Sequence, residues 1–302
     1  MKQQATQFTV PQTVVEHRAR LKKAKIGNYN IAYVDEGPRD GEVIVFVHGM
    51  PTNSWLWRKI IPQLTAVGLR VIAPDLLGFG ASDKPANPSE YTLERQSKRI
   101  IALLDQLGIQ KWTQVAHDLG GPWTWEVIDR ATERIQRLII LNTSAYREGF
   151  NPPAMVKMMA TPIGPMMLGM MSNKVTGPFM VGTFFRTFTG NAAVIDKDAV
   201  EGYWLPLNEG TTLPFRQFVG DFENLYAQFD RYHAAFRRLN VPVLIIWGKK
   251  DQVVNVTKLA PQFAADLRIS QENVHIFEDA NHFLAEDKAD AIAEKIKKFM
   301  GK

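Results

Sequence analysis

The stretch Val115-Ala116-His117-Asp118-Leu119-Gly120-Gly121 runs from an apolar strand into a helix, with small residues on either side of Asp118. A strand-to-helix turn this tight admits only small neighbours and projects its central side chain out of the sheet. The layout is that of a G-x-S-x-G nucleophile elbow, with Ala116 at the first small position and an aspartate where serine usually stands. An aspartate before a helix otherwise serves as an N-cap, so the segments around it must decide between the two roles.

Upstream, the run Val43-Ile44-Val45-Phe46-Val47 is apolar on both faces, as a central strand should be. His48-Gly49-Met50-Pro51 follows it directly, where Met50 is expected to supply one backbone N–H of an oxyanion hole and Leu119 the other. Downstream, Trp247-Gly248-Lys249-Lys250-Asp251 follows one apolar run and Asn281-His282-Phe283 follows the last. The order nucleophile, acid, histidine makes Asp118 the nucleophile, His282 the base and Asp251 the group that orients the imidazole. The end of the strand before the long helical stretch would be another place for the acid. It holds Asn142, an amide with no charge to stabilise an imidazolium.

Strand and helix patterns alternate on both sides of the elbow. They cover Tyr29 to Val34, Arg70 to Ala73, a helix from Leu93 to Leu107, Trp112 to Ala116, a helix from Gly121 to Ala131 and Ile135 to Leu141. They resume at Val241 to Trp247, a helix near Thr257 to Asp266, Val274 to Phe277 and a helix from Glu286 to Phe299. This order predicts an α/β fold, a mostly parallel sheet with helices on both faces. Residues 147–236 interrupt the alternation and hold eight of the chain's 11 methionines. They are expected to form a helical cap inserted in a core of 1–146 and 237–302, its methionines either a pliable pocket wall or ordinary helix packing. Residues 1 to about 18 show no strong period and are expected to be a loosely attached arm.

With 302 residues, 45% hydrophobic and 22% charged, the chain can bury a large core. The absence of cysteine excludes disulfides, thiol nucleophiles and thiolate metal sites. The net charge is +5, but the Lys and Arg residues are scattered, so no nucleic acid partner is expected. Lys295, Lys297, Lys298 and Lys302 cluster at the end of a helix, where cations complement its dipole. No run approaches the roughly 20 apolar residues of a membrane span, and the start lacks the apolar core of a secretion signal. A cytoplasmic location without a membrane partner is therefore expected.

Three segments carry a family resemblance: His48-Gly49-Met50-Pro51-Thr52, the run from Ala73 to Asp83 (APDLLGFGASD), and His117-Asp118-Leu119-Gly120-Gly121. They resemble the haloalkane dehalogenases and epoxide hydrolases, the aspartate-nucleophile branch of the α/β-hydrolase fold. The resemblance implies attack of an ionised Asp118 on a saturated carbon of a small apolar organic substrate. An alkyl-enzyme ester results, which a water activated by His282 hydrolyses, and no cofactor or metal is needed. Dehalogenases of this kind hold the halide with a Trp after the nucleophile or an Asn in the HGxP motif. Those positions hold Leu119 and Met50 here, which moves the expected donor to Trp204 or another cap residue. Epoxide hydrolases protonate the opening ring with cap tyrosines, and Leu213-Pro214-Phe215-Arg216 resembles one such site with Phe in place of Tyr. Tyr203, Tyr226 and Tyr232 in the cap, with Tyr146 at its base, are the candidates left to act as acid or substrate contact, Tyr203 first among them. The resulting expectation is an epoxide hydrolase acting on an apolar substrate. A haloalkane dehalogenase, an esterase or lactonase, and a ligand-binding protein with little activity are the alternatives.

Overall fold

Residues 10–302 are described by a computed structural model. Eight strands form one sheet: β1 Lys22–Ile26, β2 Tyr29–Glu36, β3 Val43–Val47, β4 Arg70–Pro74, β5 Trp112–Asp118, β6 Ile135–Thr143, β7 Val243–Gly248 and β8 Val274–Phe277. Their spatial order is β1-β2-β4-β3-β5-β6-β7-β8. The pairs β1–β2 and β2–β4 are antiparallel and every other pair is parallel. The sheet grows outward from the apolar run at Val43, which pairs with β4 on one side and β5 on the other. The chain reverses its direction of winding between those two neighbours. That leaves a crevice beyond the carboxyl ends of β3 and β5, where open α/β sheets bind ligands.

Every residue of β4, β5 and β7 is buried. Successive side chains point to opposite faces, so both faces are covered, as the unbroken apolar runs require. The helices of this part are α1 Val14–Arg20, α2 Ile61–Thr65, α3 Leu93–Gln106 and α4 Gly120–Ala131. Between β6 and β7 come α5 Ala154–Met159, α6 Gly164–Ser172, α7 Gly177–Thr187, α8 Lys197–Pro206, α9 Thr212–Val219, α10 Phe222–Ala227 and α11 Phe229–Arg238. The chain then closes with α12 Val256–Asp266, α13 Leu284–Asp287 and α14 Ala289–Phe299.

Two polar clamps fasten the helical insertion to the sheet. The Tyr203 hydroxyl on α8 donates to Glu286 Oε1 at 2.5 Å, and the same carboxylate takes a bidentate pair from Arg58 and a second cation from Lys59. On the other side, Tyr232 and Arg231 of α11 donate to Glu126 of α4. A further tie lies at the start of the insertion, where the backbone N–H of Asn151 donates to the Val253 carbonyl at 2.7 Å.

The structure departs from the sequence reading in three places. The segment expected as a loose arm contains α1, whose His17 is buried with Nε2 at 2.8 Å from Ser54 Oγ, and whose Arg18 makes a bidentate pair with Glu209. A helix this short, burying only Val14 and His17, leaves no readable period. The rest of the expected arm, residues 1–9, lies outside the described residues. Strand β1 reads KKAKI and buries only Ala24, so its apolar alternation is nearly absent. The last helix is broken at Lys288, where φ is −135°.

Candidate active site

Asp118 ends β5 with φ of 51°, and α4 begins two residues later. Left-handed backbone is costly for a residue with a side chain, and it persists only where the surroundings enforce it. The enforcing contacts come from glycines. A Cβ on Gly49 would overlap the Asp118 carboxylate, and a Cβ on Gly120 would strike the carbonyl of Val47. The Thr143 hydroxyl donates to the Asp118 carbonyl and fixes the turn from the β6 side.

The carboxylate so presented is buried and held at both oxygens. Oδ2 accepts the backbone N–H of Met50 at 2.7 Å, and the N–H of Leu119 also donates to the group. Oδ1 lies 3.3 Å from His282 Nε2. The other imidazole nitrogen, Nδ1, is 2.8 Å from Asp251 Oδ2. Asp251 Oδ1 accepts the backbone N–H groups of Val253 and Val254, and Oδ2 also accepts Nδ2 of Asn142 at 2.7 Å. Asn142 sits at φ of 32°, and its own Oδ1 takes the N–H of Gly248 at 2.9 Å. The position considered for an alternative acid thus holds the amide that steadies Asp251.

Burial alone would raise the Asp118 carboxyl. The hydrogen bond and charge of His282, with the Leu119 N–H, outweigh it and leave the group below its ordinary value. Burial likewise opposes a proton on His282, but Asp251 and Asp118 on either side push it up to about 10. The resting pair is therefore carboxylate and imidazolium at neutral pH.

In front of Asp118 lies a cleft whose walls include Phe150, Phe184, Phe188, Phe215 and Phe222. Its polar groups are those of Asp118 and His282 and the backbone at Met50 and Leu119. Phe215, from the segment resembling a tyrosine site, does face this space. None of Tyr203, Tyr226, Tyr232, Tyr146 and Trp204, the side chains expected as an acid or substrate contact, lines it. Tyr203 is fully buried, stacked on Phe185 at 3.9 Å and bonded to Glu286, while Tyr146 donates to Asp266 at 2.9 Å. Trp204 packs against Gly177 on the far side of α7 and lines a separate surface groove with Arg186 and Lys197. The methionines of the insertion are absent from the cleft lining as well, so the pocket-wall reading of them is corrected in favour of phenylalanine.

A family profile for the alpha/beta hydrolase fold matches residues 42–289. The chain belongs to that family. This α/β-hydrolase is 32% identical to the cis-3-alkyl-4-alkyloxetan-2-one decarboxylase of Shewanella oneidensis over 287 residues, 89% of this chain and 84% of the relative. It is 39% identical to the haloalkane dehalogenase of Psychrobacter cryohalolentis, but over 127 residues that span only 42% of either protein. Among solved structures, Cfl2 of Burkholderia cenocepacia superposes with a TM-score of 0.76 at 21% identity, covering 92% of this hydrolase and 95% of Cfl2. At that identity the likeness speaks for the fold alone. None of the described helices of the hydrolase is long and apolar enough to cross a membrane.

Proposed function

We propose that this α/β-hydrolase uses Asp118 as a nucleophile on a saturated carbon of an apolar substrate and hydrolyses the resulting alkyl-enzyme ester with a water activated by His282. The observation that carries this reading is the single line from Asp251 through His282 to Asp118, with the Met50 N–H on the far carboxylate oxygen. Oδ1, free of backbone donors from Met50, attacks, and the leaving group departs with the electrons of the broken bond. Ester formation removes the negative charge on Asp118, which is one of the two that hold the His282 proton. The imidazole then loses that proton to solvent and becomes a base.

In the second step, neutral Nε2 takes a proton from water as the water oxygen attacks Cγ of Asp118. Negative charge develops on Oδ2, which already accepts the Met50 N–H, while the Leu119 N–H also donates to the Asp118 carboxylate. Collapse of this intermediate expels the alcohol and restores the carboxylate. Residues 147–236 would act as the cap that keeps this chemistry away from bulk water, with residues 1–146 and 237–302 as the core.

The cleft lining bears on the leaving group. It presents no tyrosine hydroxyl, indole or side-chain amide toward Asp118 among the described residues. The epoxide reading then has only the His282 imidazolium as proton source, and the haloalkane reading must leave its halide to backbone donors. A strained ring that opens to a carboxylate needs no proton donor, and relief of its strain supplies a driving force that a haloalkane lacks. This favours a second reading, a strained cyclic ester of the oxetan-2-one class, which the similarity to the Shewanella decarboxylase over most of both chains also supports. Attack on the ring carbon bearing oxygen would release a carboxylate still tethered to the alkyl group. Water could then free the hydroxy acid, or loss of carbon dioxide could form the alkene and expel Asp118.

The test is a trap. His282→Gln is incubated separately with haloalkanes, epoxides and dialkyl oxetan-2-ones, and intact mass is followed by peptide mapping. An adduct on Asp118 supports the nucleophile, and the panel that yields it names the leaving group. Turnover by the wild type with no adduct from any panel would overturn the covalent reading.

A further inference from the structure

We propose that the outer face of α5 to α7 docks on an anionic lipid surface, so that apolar substrate reaches the cleft from the bilayer rather than from water. The methionines that fail to line the cleft raise the question of what they do. Met159 and Met171 are buried, but Met158, Ile163, Met166, Met170, Val175 and Phe179 are exposed. Val175 is 86% exposed, Phe179 76% and Met166 62%. Only two other large apolar side chains among the described residues, Val15 and Ile276, are similarly exposed. Exposed apolar side chains scattered singly need no explanation, but a concentration on one short stretch marks a binding surface.

Charge indicates the kind of partner. From Gly149 to Ile195 the chain has no Asp or Glu, against the exposed cations Lys157, Lys174 and Arg186. Neither Lys157 nor Lys174 takes part in a salt bridge among the described residues, while Arg186 donates only to the Ile195 carbonyl. Glu209, on the turn packed against α6, is neutralised by Arg18. Apolar side chains with lysines and no carboxylates are what an interfacial segment requires, its apolar groups entering the acyl boundary and its cations meeting anionic headgroups. A second copy fits less well, because a two-fold contact would set the same lysines against themselves, and the neighbouring Glu201 lies in a groove that already holds Arg186 and Lys197.

The face also adjoins the cleft. Helix α5 carries Val156 in the cleft wall and Lys157 and Met158 on its outer side, and α7 carries Phe184 in the wall and Phe179 outside. The expectation of no membrane partner rested on the lack of a spanning run, and a face that lies on the surface has no need of one.

The experiment is co-sedimentation of the full chain with vesicles of phosphatidylcholine alone and of phosphatidylcholine with phosphatidylglycerol, at low and high salt. The wild type is expected to sediment with the anionic vesicles and to be released by salt. Met166→Ser/Val175→Ser/Phe179→Ser should weaken binding by about tenfold or more, and Lys157→Glu/Lys174→Glu should abolish the preference for anionic lipid. Both variants should keep turnover of a dissolved substrate, because none of these residues lines the cleft. No sedimentation of the wild type at low salt overturns the proposal. So does binding that both variants retain, or a concentration-dependent dimer that the serine variant alone dissolves. Activity on dissolved substrate reports on the catalytic reading separately, so the two fail independently.

Discussion

Asn142 Nδ2 donates at 2.7 Å to Asp251 Oδ2, the same oxygen that lies 2.8 Å from His282 Nδ1. The amide sits at the end of β6 and the acid beyond the end of β7, so two adjacent strands fix one carboxylate oxygen under the imidazole. Asn142 also accepts the Gly248 N–H, which ties its position to β7 itself. Asn142→Ala should therefore slow ester hydrolysis while leaving alkylation of Asp118 nearly unchanged, as single-turnover kinetics would reveal. The lost hydrogen bond to a buried charge should also cost about 1.5–3 kcal/mol of stability in urea unfolding.

The proton on His282 gives a signed pH dependence. Its folded value near 10 lies above the ordinary 6.5, so its contribution to stability is complete below about 6.5 and is lost as pH rises through about 10. In catalysis the alkylated enzyme has lost the Asp118 charge, so the imidazole of the intermediate should titrate lower than in the free enzyme. NMR titration of His282 in the resting protein should give the higher midpoint, and the pH profile of ester hydrolysis the lower. Equal midpoints would refute the coupling.

Gly49 faces the nucleophile with no room for a side chain. Gly49→Ala would force the Asp118 carboxylate away from the Met50 N–H, and a displacement near 1 Å is expected to reduce turnover about 100-fold. Steady-state kinetics beside a thermal melt would separate this from simple unfolding.

The Glu286 cluster should behave as structure rather than as chemistry. Burial raises the Tyr203 hydroxyl well above its usual range and the Glu286 charge raises it further, so it stays protonated on that carboxylate. Tyr203→Phe should keep turnover within about twofold, given that a general acid would cost about 100-fold. Arg58→Ala leaves Glu286 buried beside only Lys59 as a cation and should destabilise the fold by about 3–5 kcal/mol in denaturant.

Leu119 occupies the cleft wall beside the nucleophile. Leu119→Trp would add an indole N–H there. If a missing halide donor limits haloalkane turnover, this variant should raise bromide release from a bromoalkane, measured by halide assay. No gain would show that the leaving group, rather than its donor, is what the cleft excludes.

The centre of the sheet was legible because its strands are buried on both faces, and β3 runs over the very residues the apolar pattern indicates. Asp118, Asp251 and His282 stand at strand ends where local sterics demand particular neighbours, so motif and order point to them without a long-range contact. What could not be read were α1 and β1, whose few buried residues leave no period. The cap side chains were equally hidden. Tyr203 and Phe215 stand twelve residues apart on neighbouring helices, and no local rule says which of them turns toward Asp118.

By itself the sequence determined the alternation of strands and helices, the elbow and the order of Asp251 and His282 after it, since each follows from backbone sterics or burial within a few residues. Only the tertiary structure decided that Asn142 serves Asp251, that Tyr203 is committed to Glu286, and that phenylalanine rather than methionine walls the cleft. Those outcomes depend on which distant side chain meets a buried charge or an apolar space, and that is settled when the helices pack.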